Sequence, residues 1–550
     1  MKARDLFSQL GAFAAILLVA CVFLRSYVKL TPVAPGQRIV SAWKDGALVA
    51  REARGVPRAP RQPTPFVAAP DTVVVEEEIV GVGPLFAKSA FFAMAIVAGN
   101  DGVRATLGED VAYVTADDLL RAQAYEKGFA LGNLGLGYGT SRKIAIDMLA
   151  ERLGTTAANV LESASLERVR FRRLTKERED AEKITGDSLT GELVSSAAYE
   201  AAKYLARNID MKGRYRYTID AATGKNVEGY NWPRHSGATF FLAQWAGRVK
   251  DPLLIQPCLS AARLLRDVLL VKCGDMKCIA EGDEADLGAS ALALNAFAEI
   301  QKSGIDDSFR TVIDDLSLFL RKMQRPDGEF MHTYNRREKH PNDIQKLYYS
   351  GEATLALARA HLITNNPEDL EAARKGLAHL VGPAWSFFGS RYIGGEEHWT
   401  CQALADLWDR APDPNALEFC LNWHRIQRQA QYRKGETPFD SDGAFGTSPF
   451  FTPRITPASS RGEAAGATLA ALIKARPNDP ERAALEDQYN RSLAFVMRHQ
   501  FRPGPTHLFA NPELVRGGFP GSPVDFQVRI DFPQHAGSSM VRWLELHPKP

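Results

Sequence analysis

At 550 residues, with 45% hydrophobic and 24% charged side chains, the chain has an ordinary globular composition and length enough for two or more domains. Its 67 basic and 65 acidic side chains leave a formal charge of +2. That balance gives no electrostatic case for a nucleic-acid partner, which would call for a basic patch or stripe.

Lys2 and Arg4 precede an apolar run from Leu10 to Leu24, the order of a basic n-region and an apolar h-region. Residues 1–30 are therefore expected to form a signal anchor, with a transmembrane helix from about Leu6 to Val28. The membrane is then a partner through that helix, and the bulk of the chain is placed in the periplasm of a bacterium as a single-pass inner-membrane protein. A lipoprotein signal is the alternative, because Leu18-Val19-Ala20-Cys21 resembles a lipobox with Cys21 as the lipidated residue. The continuation of the apolar run through Val22-Phe23-Leu24 favours the anchor.

Residues 31–71 are expected to be a proline-rich linker, stiff and extended. Residues 72–185 read as a small α+β domain. Thr72–Val80 is a β-branched run, and Val103–Leu107 and Val111–Val114 flank Gly108-Glu109-Asp110 as a hairpin would. Thr115 is placed to cap a helix. The glycine-rich stretch 132–139 matches neither the dinucleotide nor the Walker pattern, so it is read as a turn and no cofactor is expected. Thr175–Lys183, charged in both signs, suggests an exposed helix.

Residues 190–550 change character. Six segments rich in Ala, Gly and Ser recur: Arg234–Trp245, Asp286–Glu299, Tyr349–His361, His398–Trp408, Arg461–Ile473 and His535–Leu544. More amphipathic stretches such as Ser196–Arg207, Ser308–Met323, Leu370–Leu380 and Glu481–Arg498 lie between them. Small residues allow close helix approach, and a helix apolar on most sides must be buried. The expected fold is mostly α, an (α/α)6 toroid of buried inner and half-wet outer helices. Arg325-Pro326-Asp327-Gly328 and Asp440-Ser441-Asp442-Gly443 have the turn chemistry for its loops.

Polar and aromatic residues cluster where each inner segment starts. Six helices pointing one way would gather these starts on one rim. The candidate catalytic residues are Glu352, Asp531, His235, His535, Glu397 and Tyr349. The candidate substrate-binding residues are Tyr230, Asn231, Trp232, Arg234, Trp399, Arg461, Glu463 and Arg529. Aromatic walls with a few polar groups suit a sugar, and arginines suit an acidic one. Carboxylates in a first helical turn also simply complement the helix dipole. A glycosidase would need two carboxylates across the scissile bond, whereas a uronate lyase or epimerase would need a base and cationic stabilisers.

Cys273 and Cys278 are spaced for a local disulfide, while Cys258, Cys401 and Cys420 read as small buried hydrophobes. No metal signature is evident in their spacing.

Tyr230-Asn231-Trp232-Pro233-Arg234-His235, Tyr348-Tyr349-Ser350-Gly351-Glu352 and Arg529-Ile530-Asp531-Phe532-Pro533-Gln534-His535 resemble inner-helix starts of the broad (α/α)-toroid group. That group includes six-hairpin glycosidases, polysaccharide lyases and the C-terminal domain of glucuronyl C5-epimerases. The resemblance covers roughly residues 195–548 and implies the fold; no defined catalytic pair carries over. The expected function is a membrane-anchored, envelope-facing protein that cleaves or modifies an acidic surface polysaccharide, as hydrolase, lyase or uronate epimerase. The alternative is a non-catalytic glycan-binding or scaffolding component of an envelope polysaccharide export machine. A third possibility, a lanthionine-cyclase or prenyltransferase type of toroid, would need a Cys/His zinc site, and only Cys401 lies near a suitable His398.

Overall fold

The computed structural model describes residues 29–58, 71–87, 95–125, 140–383, 398–437, 440–446, 452–502 and 507–548, with Phe66, Ala68, Ala69, Phe92 and Ala93. The expected anchor, with Cys21, lies outside the described residues apart from positions 29 and 30, and so does the glycine-rich stretch 132–139. Among the described residues no helix is long and apolar enough to cross a membrane. The chain divides into two compact units. The first is Met1–Glu179 with Phe450–Thr452 and Pro505–Ala510, and the second is the remainder.

Among its described residues the first unit holds a seven-stranded antiparallel sheet. Its strands are β1 (Thr31–Pro32), β2 (Arg38–Lys44), β3 (Ala47–Arg54), β4 (Val73–Pro84), β5 (Asp101–Leu107), β6 (Asp110–Val114) and β7 (Ser165–Leu174). The order is β3-β2-β4-β7-β5-β6, with β1 on β4. The expected linker is corrected here, because β2 and β3 lie within residues 31–71. Ile39, Val40 and Ala42 are fully buried, as in a strand covered on both faces. The prolines that suggested a linker begin at Pro57, after β3 has ended.

The β5–β6 hairpin forms at Gly108, whose φ is +60°. Helix α1 (Ala116–Arg121) starts at Thr115 with a full capping box. Helices α2 (Arg142–Leu153) and α3 (Ala157–Ser163) pack Ile146, Leu149 and Val160 against Val103, Val114 and Leu119. Helix α4 (Lys176–Glu182) buries nothing, in keeping with its mixed charge. Beside the sheet, Asp118 is fully enclosed between Arg51 and Arg152, at 2.6 and 2.7 Å.

Among its described residues the second unit has twelve long helices in alternation. The outer ones are α5 (Gly191–Arg207), α7 (Pro252–Arg263), α9 (Arg310–Lys322), α11 (Pro367–Val381), α13 (Pro414–Gln429) and α15 (Glu481–Arg498). The inner ones are α6 (Trp232–Val249), α8 (Leu287–Ser303), α10 (Tyr349–Thr364), α12 (His398–Leu407), α14 (Ile455–Ala475) and α16 (Asp531–Leu546). Each inner helix packs on the next, and α16 packs back on α6, which closes the ring. The small residues explain the closeness. A Cβ on Gly537 would run into the Phe241 ring, and one on Gly351 would sit 2.8 Å from Trp399 Cβ. The outer helices bury one face only; α9 turns Val312, Ile313, Leu316, Phe319 and Leu320 inward. Gly328 and Gly443 take φ of +92° and +87° in their turns, a conformation glycine adopts without a Cβ penalty.

Cys273 and Cys278 are disulfide-bonded across a short strand pair. Cys401 and Cys420, expected as small buried hydrophobes, are instead bonded to each other and staple α12 to α13. Their 19-residue separation spans the turn between two packed helices, a pairing that spacing does not reveal. Cys258 is buried and free.

Candidate active site

The leading ends of the inner helices meet one another around the ring. Arg234 at the start of α6 reaches Asp531 at the start of α16, Nε to Oδ2 3.3 Å. Gly288 at the start of α8 leaves the space that Tyr349 and Glu352 at the start of α10 occupy. His398 and Trp399 open α12, and both rings face His535 of α16, with centroids 5.2 and 5.9 Å away. Glu463, two turns into α14, completes the group, its Oε2 2.7 Å from His535 Nδ1. The floor is apolar: Trp399, Leu292, Leu355 and Ala403 form one cluster, with Tyr348 packed on it.

The His535–Glu463 pair is nearly dry. Glu463 is 1% exposed, and its other oxygen, Oε1, has no hydrogen-bond partner. Burial raises the Glu463 pKa against the pull of the His535 imidazole. The contact through Oε2 orients the imidazole toward His398 and leaves Oε1 unmet.

Glu352 is the neutral acid of the site. Burial pushes its pKa up to about 8, with the charges of His535 and Arg234 opposing and that of Asp286 adding. Its Oε2 is buried without a partner. Tyr349 is held protonated, first by burial and then by the negative charges of Asp286 and Glu352, and its hydroxyl donates to Asp286. Asp286 immediately precedes α8 and stood in the sequence only as the first residue of the small-residue segment Asp286–Glu299.

Asp531 has the opposite character. Burial would raise it, but hydrogen bonds and charge from Arg529, with the charge of Arg234, hold it below the usual carboxylate range. Arg529 Nε and Nη2 lie 2.6 and 2.8 Å from its two oxygens, a bidentate pair. Arg234 also donates to the Tyr217 hydroxyl at 3.0 Å.

Other expected site residues have different partners. His235 is fully buried and faces outward: its Nε2 is 3.2 Å from the Ala261 carbonyl of α7, and its Nδ1 is 2.7 Å from the Tyr230 hydroxyl. Burial lowers its pKa to about 4, so it is a neutral imidazole whose ring nitrogens both face neighbouring groups of the fold. Asn231 caps α6, its side-chain oxygen accepting from the Arg234 amide. Tyr230 and Trp232 form a half-buried aromatic pair, centroids 4.9 Å apart, with the Arg214 guanidinium 4.4 and 4.9 Å from their rings. Arg461 stacks over Phe445 at 4.9 Å. Glu397 lies outside the described residues.

His398 was visible in the sequence as part of a polar helix start, but its pairing with His535 was not. The two are 137 positions apart, and only closure of the ring brings them together. His398, Glu463 and His535 offer ligand atoms within 4.8 Å of one another. The Cys401–Cys420 bond removes those thiols from any Cys/His zinc site.

No family model and no curated protein sequence matches the chain. Solved structures do match about two thirds of the chain. A D-mannose isomerase superposes with a TM-score of 0.51 at 12% identity, over 64% of this chain and 97% of the isomerase. A cellobiose 2-epimerase from Spirochaeta thermophila DSM 6192 gives 0.50 at 13% identity, over 68% of this chain and all of the epimerase (100%). The ring of paired helices thus shares its (α/α)6-toroid fold with these structures.

Proposed function

We propose that the second unit is a carbohydrate-modifying enzyme that moves a proton on a sugar, as an epimerase or isomerase does. The observation that carries this reading is the facing pair His398 and His535, one ring of which is anchored by Glu463. Two neighbouring imidazoles beside a bound sugar provide a base and an acid for proton transfer. Glu352, neutral up to about pH 8, supplies a hydrogen-bond donor to a developing oxyanion. Hydrolysis is less well served, because both Asp531 oxygens are engaged by Arg529 and Glu463 is paired with His535.

An acidic sugar fits the same site. Arg234 and Arg529 around the single Asp531 carboxylate leave one surplus positive charge. The disulfides Cys273–Cys278 and Cys401–Cys420 suit an oxidising compartment, and the signal-like N-terminus suits a membrane anchor. Together they support an envelope polysaccharide or its fragments as substrate, with the chain tethered to the bacterial inner membrane and facing the periplasm.

The test is proton exchange. Detergent-solubilised full-length protein is incubated in D2O with uronates, neutral reducing sugars and envelope polysaccharide fragments, and read by NMR. Deuterium at one sugar carbon with a new epimer or isomer is expected, and His535→Asn and His398→Asn should abolish it. Chain scission without deuterium uptake would replace this reading with hydrolysis; binding without either would leave a glycan-binding toroid.

A further inference from the structure

We propose that His398, Glu463 and His535 also chelate a single divalent transition-metal cation of the Zn2+ kind, and that the metal-occupied form is inactive. The inhibitory half rests on the proton-transfer reading above; the chelation does not.

The donor set is the first argument. Two imidazoles and one carboxylate form a three-ligand set that leaves a coordination position open. Nitrogen donors favour zinc-like cations over magnesium or calcium, which prefer oxygen. Geometry is the second. The three ligand atoms lie within 4.8 Å of one another. Ligands at roughly 2.0–2.2 Å from one zinc ion are separated by up to about 4 Å, so small side-chain shifts close the site. The third is the unmet demand at Glu463, a residue 1% exposed whose Oε1 lacks a partner in a desolvated setting. A cation there satisfies it.

The residues sit on three different inner helices, α12, α14 and α16, held by the packing of the ring. Such a frame preorganises ligands instead of gathering them from mobile loops. When the cation enters, it replaces the proton shared by His535 Nδ1 and Glu463 Oε2, and that proton passes to solvent. The imidazoles then hold metal in place of protons, and acid–base transfer stops.

The experiment uses full-length protein in detergent, stripped with a chelator and desalted. ZnSO4 is titrated calorimetrically, and the metal retained after desalting is counted by elemental analysis. One zinc per chain is expected, and CoCl2 should give the visible absorption of a low-coordinate Co2+ site. Outer-sphere changes alone weaken metal sites roughly 10–100-fold, so His398→Asn and Glu463→Gln should weaken zinc at the upper end of that range or beyond. Glu463→Asp, which keeps a carboxylate, should retain more affinity than Glu463→Gln, and unchanged melting of the metal-free variants excludes misfolding. No retained metal, or binding indifferent to all three substitutions, overturns the site. Absence of zinc binding with intact deuterium uptake overturns the inference and leaves the proposed activity standing. Zinc bound at these residues with undiminished uptake overturns the inhibition and removes the histidine pair from the chemistry.

Discussion

His535 Nδ1 and Glu463 Oε2 lie 2.7 Å apart across two inner helices, and this contact orients the imidazole that faces His398. Replacing Glu463 by Gln removes the charge that steadies a protonated His535. The rate of deuterium uptake should fall about 100-fold or more, the scale of a lost acid–base contribution, with KM little changed. Stopped-time NMR on a responsive sugar measures both.

Glu352 predicts a pH dependence of stability with a definite sign. Its folded pKa is about 8 against an ordinary 4.5. Between those values the folded chain keeps a proton that the unfolded chain has released. Stability linked to this group is therefore fully present below about pH 4.5 and declines as pH rises through about 8. Glu352→Gln removes that slope. Melting temperatures of the two proteins from pH 4 to 9 should diverge in favour of the variant as pH increases, and parallel curves would refute the neutral-acid assignment.

The Asp531 cluster separates folding from charge recognition. Asp531→Asn strips Arg529 and Arg234 of their shared carboxylate and should cost about 2 kcal/mol of stability, the scale of a hydrogen bond to a charged group. The same change should strengthen binding of a uronate while leaving a neutral sugar unaffected. Arg529→Ala should weaken the uronate selectively. Calorimetric titration with matched neutral and acidic sugars provides the comparison.

The Cys401–Cys420 bond closes a loop of about 20 residues between α12 and α13. Cys401→Ala with Cys420→Ala should cost about 3 kcal/mol by the loop-closure estimate. Because α12 carries His398, turnover should fall at temperatures below the melting transition. Denaturant unfolding in the presence and absence of a reductant checks the stability term, and the double variant should be insensitive to reductant at this bond.

In the first unit, Asp118→Ala would leave Arg51 and Arg152 with a buried charge deficit. Loss of one member of such a buried pair costs about 3–5 kcal/mol. The melting transition should drop accordingly, and Asp118→Asn should recover part of the loss by keeping the capping hydrogen bond with Thr115.

Much of the helical architecture was legible beforehand. Runs such as Arg461–Ile473 and His535–Leu544 are too small and too apolar to be anything but closely packed inner helices, and the contact of Gly537 with Phe241 shows why bulk is absent there. Turn residues Gly328 and Gly443 and the Thr115 cap were readable because their chemistry is local. The strands β2 and β3 were missed because composition was averaged over a window that mixed them with the prolines from Pro57 onward.

Local pattern, then, determined the ring of paired helices and the concentration of polar residues at the starts of the inner ones, since periodicity and small-residue content act over a few turns. Which way each side chain points was decided by tertiary structure alone. His235 and His535 look alike at their helix starts, yet one turns outward to Ala261 and the other inward to Glu463. Likewise Glu352 and Asp531 are both first-turn carboxylates, but one is desolvated without a hydrogen-bond partner for Oε2 and the other is clasped by Arg529. Burial and neighbours distant in the chain set those differences, and no short stretch of sequence contains them.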